Sequence, residues 1–237
     1  ASYKGGANGA VYVFTRSGTV WSLQQKLIVP SAAASDQIGA SVTISGDTVL
    51  AGAPLRNVGA DTDEGSAFVF VRSGATWTVQ TELVTVGAAA ADHVGRAVTL
   101  AGDVALLGAP DTDVGNYAGQ GAIRGFLRSG STWSQEAPLV AGEGLSQGSL
   151  GVSVALSGDT AVVGCAGASN KNTAYVFQRS GTTWAEQAKL TGSDSVTESA
   201  KQSLSALSKI LNTGAAAAYE IMVVGHTDAQ PISAGTA

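Results

Sequence analysis

The stretch Ile38-Gly39-Ala40-Ser41-Val42-Thr43-Ile44-Ser45-Gly46-Asp47-Thr48-Val49-Leu50-Ala51-Gly52-Ala53-Pro54 decides the fold. Val42 and Ile44 alternate with small polar residues, the period-2 pattern of a strand. Gly46-Asp47 then turns the chain, because a glycine supplies the positive φ that a two-residue hairpin requires. A second strand follows over residues 48–53. The same pattern returns 56 residues later and again after another 56: the apolar-Gly pair as Val94-Gly95 and Leu150-Gly151, the exit as Gly108-Ala109-Pro110 and Gly164-Cys165-Ala166. The turn recurs as Gly102-Asp103 and Gly158-Asp159. A further marker, Arg-Ser-Gly followed by Trp, occupies residues 16–21, 72–77, 128–133 and 179–184, with Trp spacings of 56, 56 and 51. Independent markers that keep one period mark a repeat architecture.

Each unit reads as four short strands. After Gly-Ala-Pro comes a long loop, then a strand over residues 66–72, the Ser73-Gly74 turn, and a fourth strand through Trp77 to about Leu83. The third strand is apolar on both faces, Phe68 and Phe70 on one and Ala67, Val69 and Val71 on the other. A strand buried on both faces lies in a sheet stacked between sheets. Four-stranded sheets repeated radially make a β-propeller. The expected fold is therefore all-β, with blades at 36–88, 92–144 and 148–192 and a half-blade at 1–35 that supplies only two outer strands, 10–16 and 19–27. Propellers close with four to eight blades, and a half-blade leaves an unpaired strand edge. The expectation is a piece of a longer protein, or a neighbouring chain that supplies the missing strands; two copies of three and a half blades would make a ring of about seven.

The Gly-Ala-Pro exits, the Phe68-Val69-Phe70 and Tyr175-Val176-Phe177 strands and the period resemble the FG-GAP repeat of integrin-α-type β-propellers, in the form of secreted bacterial proteins, over about residues 1–192. The resemblance implies a non-enzymatic extracellular or cell-envelope protein acting in adhesion or protein–protein interaction, with other protein chains or surface glycans as partners. Calcium-binding members carry an Asp-rich loop between the first two strands. Here that turn is Ser-Gly-Asp, too short to wrap six to eight oxygens around Ca2+. Any cation would fall to the long loops, whose acidic residues are Asp61, Asp63, Asp111 and Asp113, with Glu64 beside them and Asp36, Asp92 and His93 in the adjoining interblade loops. Asp favours such loops for turn chemistry alone.

The tail changes character. Ser195-Val196-Thr197-Glu198 is a capping box, and Ala200, Leu204, Leu207 and Leu211 recur at helical spacing before Gly214. Residues 219–224 read as a buried strand ending at Gly225-His226-Thr227-Asp228. This short α/β segment, 193–237, resembles part of the OmpA/MotB-like peptidoglycan-binding domain, including Gln230-Pro231-Ile232. The resemblance assigns Asp228 to the diaminopimelate end of the stem peptide. The basic partner on the family's next helix is not in the sequence, so only half of that site is present.

Composition narrows the rest. A net charge of −5 with 13% charged residues leaves no basic footprint for nucleic acid. No run approaches 18 uninterrupted apolar residues, so no helical membrane span is expected. The lone Cys165 admits no intramolecular disulfide, and two histidines leave little for a metal. No nucleophile elbow, triad spacing or phosphate loop is evident. Trp21, Trp77, Trp133 and Trp184 read as packing or blade-edge residues, and Cys165 as a small buried hydrophobe. Arg124 replaces the aromatic of Tyr12, Phe68 and Tyr175 and reads as a place of local exposure or pairing. Two further functional readings stay open: a structural subunit of a strand-exchanged oligomer or filament, and an enzyme acting on polysaccharide, which no carboxylate–His constellation supports.

Overall fold

The computed structural model describes residues 9–33, 35–167 and 173–191. Its hairpins turn at glycine, Gly46 at φ 56° with Asp47 at an ordinary φ, so the Gly-Asp signal acts through its first residue. The half-blade holds β1 (Val11–Ser17) and β2 (Val20–Leu27). The first blade holds β3 (Ser41–Ser45), β4 (Thr48–Ala53), β5 (Ser66–Ser73) and β6 (Thr76–Leu83). The second holds β7 (Ala97–Ala101), β8 (Val104–Ala109), β9 (Ala122–Ser129) and β10 (Thr132–Gln135). The third holds β11 (Leu150–Ser157), β12 (Thr160–Cys165), β13 (Thr173–Ser180) and β14 (Thr183–Thr191). Each complete blade is an antiparallel meander in chain order. There is no helix among the described residues. Strands β3, β7 and β11 lie side by side as the innermost row, while β2 meets β6 at the outer rim. The architecture is that of propeller blades, three complete and one half. The tail segment, with Asp228 and His226, lies outside the described residues.

The core sits between blades, not within them. Val11 and Leu27 of the half-blade pack on Val49, Ala51, Phe68, Phe70 and Trp77. Leu50, Ala67 and Val69, on the opposite face of that first blade, pack on Val98, Leu100, Leu107 and Phe126 of the second. Leu106 and Ile123 then pack on Ala161, Val163, Tyr175 and Phe177 of the third. Strand β5 therefore buries both faces as its sequence requires, Phe68 and Phe70 toward one neighbour, Ala67 and Val69 toward the other.

The repeated motifs are the hardware of these joints. The glycine of Gly-Ala-Pro lets inner strands touch: a Cβ on Gly52 would overlap the Gly95 carbonyl oxygen, and one on Gly108 that of Gly151. A bulge between Val13 and Phe14, and another between Val69 and Phe70, re-aims Gln24 and Gln80 on the facing outer strands toward the following blade. Gln24 Oε1 accepts the Trp77 Nε1–H at 3.0 Å, and Gln80 Oε1 accepts that of Trp133 at 3.1 Å. Within a blade, Arg72 Nε donates to Asp47 Oδ1 at 2.6 Å and Arg128 Nε to Asp103 Oδ1 at 2.7 Å. The same guanidinium carbons lie 5.4 Å and 5.3 Å from the ring centroids of Trp77 and Trp133. One arginine thus ties the Gly-Asp turn to the Arg-Ser-Gly…Trp hairpin.

Candidate functional site

Successive turns in a meander alternate between its two ends, so the two-residue hairpins share one face and the long loops the other. On the long-loop face the residue just before each apolar-Gly pair is left-handed without being glycine: Gln37 at φ 57°, His93 at 55° and Ser149 at 51°. Such a conformation is uncommon outside Gly and is expected where surrounding structure enforces it. It sets these side chains at the rim of the inner strands. The ring of His93 meets the Pro54 exit loop of one blade and the Pro110 exit loop of its own.

There, His93 Nδ1 lies 2.7 Å from Asp111 Oδ2. Together with Gln37, Pro54, Leu55 and Arg96 they line a depression of about 300 Å3. Arg96 is exposed, and its guanidinium makes no hydrogen bond or ion pair among the described residues. The arrangement offers a free cation, an imidazole oriented by a carboxylate, an amide and an apolar floor. It suits a ligand bearing a carboxylate or several hydroxyls. No serine, threonine or cysteine lines it. A larger outer groove of about 390 Å3, floored by Leu83, Phe126 and Trp133, separates the first and second blades.

The four aspartates named as cation candidates do not converge. Asp111 is committed to His93, and Asp113 Oδ1 accepts the Gly119 N–H of its own loop at 2.7 Å. Asp63 holds a left-handed φ of 54° and its N–H donates to Asn57 Oδ1, while Asp61 exchanges two backbone bonds with Val58. No group of three His, Cys, Asp or Glu that would hold a metal occurs among the described residues.

Asp36 and Asp92 depart from the loop-surface expectation: both are buried. Asp36 Oδ2 accepts the Ala33 N–H and the Arg56 Nη1–H, closing its own loop. Asp92 Oδ2 does the same for Ala89 and faces Arg124 Nη2 at 3.5 Å. Arg124 is correspondingly buried, which corrects the exposure expected for it and keeps the pairing. Its stem fills the aromatic slot of the other blades, and Asp92 supplies the counter-charge. Neither partner was visible as such in the sequence, because the pair joins residues 32 apart. Glu64 is also buried, and desolvation, then repulsion from Asp61 and Asp92, raises its pKa against the opposing pull of Arg124. Burial pushes the Cys165 thiol up to about 12, the behaviour of a packed, unreactive side chain.

One family model matches two stretches of the chain. A model of the FG-GAP repeat matches residues 21–70 and 133–177. Each match starts at the Trp of one outer strand and ends at the Phe of the next blade's third strand, so it spans a blade joint. No curated protein matches the chain. Among solved structures, a candidate 6-phosphogluconolactonase of Bacteroides uniformis is similar at 12% identity and a TM-score of 0.34, over 69% of this chain and 60% of that one. A second such protein, of Bacteroides fragilis, is similar at 12% identity and a TM-score of 0.38, over 77% and 63%. The chain spans less than two thirds of the length of either.

Proposed function

We propose that this chain is a non-enzymatic β-propeller interaction module of the extracellular surface or bacterial cell envelope, and that it recognises protein or glycan partners on its long-loop face around His93, Arg96 and Asp111. One observation carries the reading: the depression forms where the repeat diverges. Ala40, Arg96 and Val152 are equivalent positions, as are Leu55, Asp111 and Gly167, and as are Gln37, His93 and Ser149. Most joint residues keep their chemistry from blade to blade, Arg124 and Glu136 excepted, while none of these three positions does. Variation confined to loops on a rigid scaffold is how such scaffolds acquire partners. The FG-GAP match supports a surface role. By its resemblance Asp228 supplies half of a cell-wall site, and retention there would need the basic partner that completes it.

The test is binding of the intact chain to arrayed acidic and neutral glycans and to immobilised extracellular proteins. Arg96→Ala and Asp111→Ala are expected to weaken any binding found by about tenfold or more, since each removes a charged hydrogen-bonding group, with unchanged melting temperature. Binding indifferent to both substitutions overturns the loop-face assignment, and turnover of an arrayed glycan overturns the non-enzymatic reading.

A further inference from the structure

The half-blade presents the face by which every other blade docks on its predecessor, and no described residue packs over this copy of that face. Tyr12, Phe14 and Trp21 are 44%, 51% and 64% exposed. Their equivalents in the first blade, Phe68, Phe70 and Trp77, are 2%, 1% and 3% exposed. The chemistry is the same in both places; only the cover differs. Leu23, paired with Phe14 and 55% exposed, widens the open patch. Patches of this kind mark interaction sites.

The opposite end of the row carries the matching surface. In the covered joints the docking face meets Leu50, Ala67 and Val69, or Leu106 and Ile123. The positions equivalent to Leu50, Ala67 and Val69 on the third blade are Val162, Ala174 and Val176, which are only half-buried because no blade follows them among the described residues. A bulge between Val176 and Phe177 faces Gln187, three residues after Trp184, as Gln24 and Gln80 follow Trp21 and Trp77. Gln187 is exposed and receives no indole among the described residues. Thr160 occupies the place of Thr48, whose Oγ1 receives Arg128 Nη1 at 2.8 Å from the next blade. Arg16, the equivalent arginine at the half-blade end, donates to the Gly18 carbonyl of its own turn and lies 5.9 Å from the Trp21 ring centroid, with no contact to another blade among the described residues.

We infer that the bare face of β1 and β2 is a docking site for the third blade of a second copy of this chain, with the Trp21 indole N–H donated to Gln187 and Arg16 directed to Thr160. The contact is heterologous: one end of each copy engages the other end of the next. It yields a closed ring if the rotation permits and an open assembly if it does not. This goes beyond recognition on the long-loop face and uses none of its residues.

The experiment is sedimentation velocity of the full chain across a concentration series, with Trp21→Arg and Gln187→Arg as exposed substitutions that leave thermal melting unchanged. The wild type is expected to associate reversibly. Each variant alone is expected to associate about 30-fold more weakly, the loss of a central aromatic anchor or its acceptor. Their mixture is expected to stop at a dimer, because one variant retains an intact docking face and the other an intact third blade. A wild type that is monomeric at every concentration overturns the inference. So do variants that associate as the wild type does, or a mixture that stays monomeric. If Trp21 in a monomeric wild type is shielded from acrylamide quenching, the seat is filled from within the chain, and the second-copy assignment falls.

Discussion

The joint between the first and second blades and the joint between the second and third are built on one backbone plan and closed by different electrostatics. In the first, Gln80 takes the Trp133 indole, while Arg128 stays with Asp103 and the Thr48 hydroxyl. In the second, Glu136 stands where Gln80 would be. Its side chain is 3% exposed and it accepts Trp184 Nε1 at 3.1 Å and Arg179 Nη2 at 2.7 Å. The Arg179 guanidinium has correspondingly turned from its own hairpin: it comes no nearer than 3.9 Å to the Asp159 carboxylate, against 2.7 Å for the Arg128–Asp103 pair. A carboxylate placed in a closed joint demands a counter-ion, and the repeat already carries an arginine one strand away. The comparison teaches that the outer-rim joint tolerates either a neutral or an ionic closure, provided that the indole N–H finds an acceptor.

Breaking the ionic joint from one side gives the largest expected effect. Arg179→Met leaves Glu136 buried with only the indole as partner, and the loss in unfolding free energy should reach about 3–5 kcal/mol. Glu136→Gln instead converts the second joint to the first one's chemistry and frees Arg179 to return to Asp159. It should cost about 1 kcal/mol or less. The double variant should recover most of what Arg179→Met loses. Denaturant titration of the four proteins measures it, and equal losses for both single variants would mean that the charge pairing does not govern this joint.

A smaller effect separates a closed joint from an open end. Gly108→Ala places a Cβ against the Gly151 carbonyl, backbone that cannot yield without parting two blades. A destabilisation of about 1–3 kcal/mol is expected, the range for overpacking. Gly164→Ala, at the equivalent position on the third blade, meets chiefly the Ser153 hydroxyl, which rotates away. It should therefore change stability by less than about 0.5 kcal/mol, as surface substitutions do. Equal effects in a melting comparison would mean that the inner strands do not approach as closely as Gly95 and Gly151 indicate.

The contrast also explains which features were legible in the sequence. Periodicity and turn glycines mark all seven hairpins, because a strand's alternation and a positive φ are local properties. The two-faced burial of β5 was equally readable, since Phe68 and Val69 state both faces side by side. The Gln three residues after Trp was in plain view in three of the four repeats, yet its role depends on a bulge that periodicity does not reveal. Asp36 and Asp92 looked like loop-surface acids and are loop-closing buried ones, because the arginines that receive them, Arg56 and Arg124, come from other strands and loops. At the candidate site, His93 and Asp111 were each visible in the sequence, but their convergence with Arg96 and Gln37 depends on how two blades meet. Asp61, Asp63 and Asp113 went instead to their own loops.

The weakest expected effect concerns Glu64, which lies under the same loops as Asp92 and Arg124 without a carboxylate–arginine bond of its own. Its pKa in the folded chain is raised above the unfolded value, chiefly by desolvation. A carboxyl so shifted favours folding below its unfolded pKa, and that contribution disappears as pH rises through the folded pKa, where the buried charge begins to oppose folding. Glu64→Gln removes the charge and keeps the shape. The variant should therefore melt above the wild type at pH 8, with the difference shrinking as pH falls toward 4. Asp92→Asn, which strips Arg124 of its counter-charge, should act in the opposite sense at neutral pH. If both substitutions shift melting in the same direction at pH 8, Arg124 is neutralised through Glu64, and the loop-closing pair has been assigned to the wrong acid.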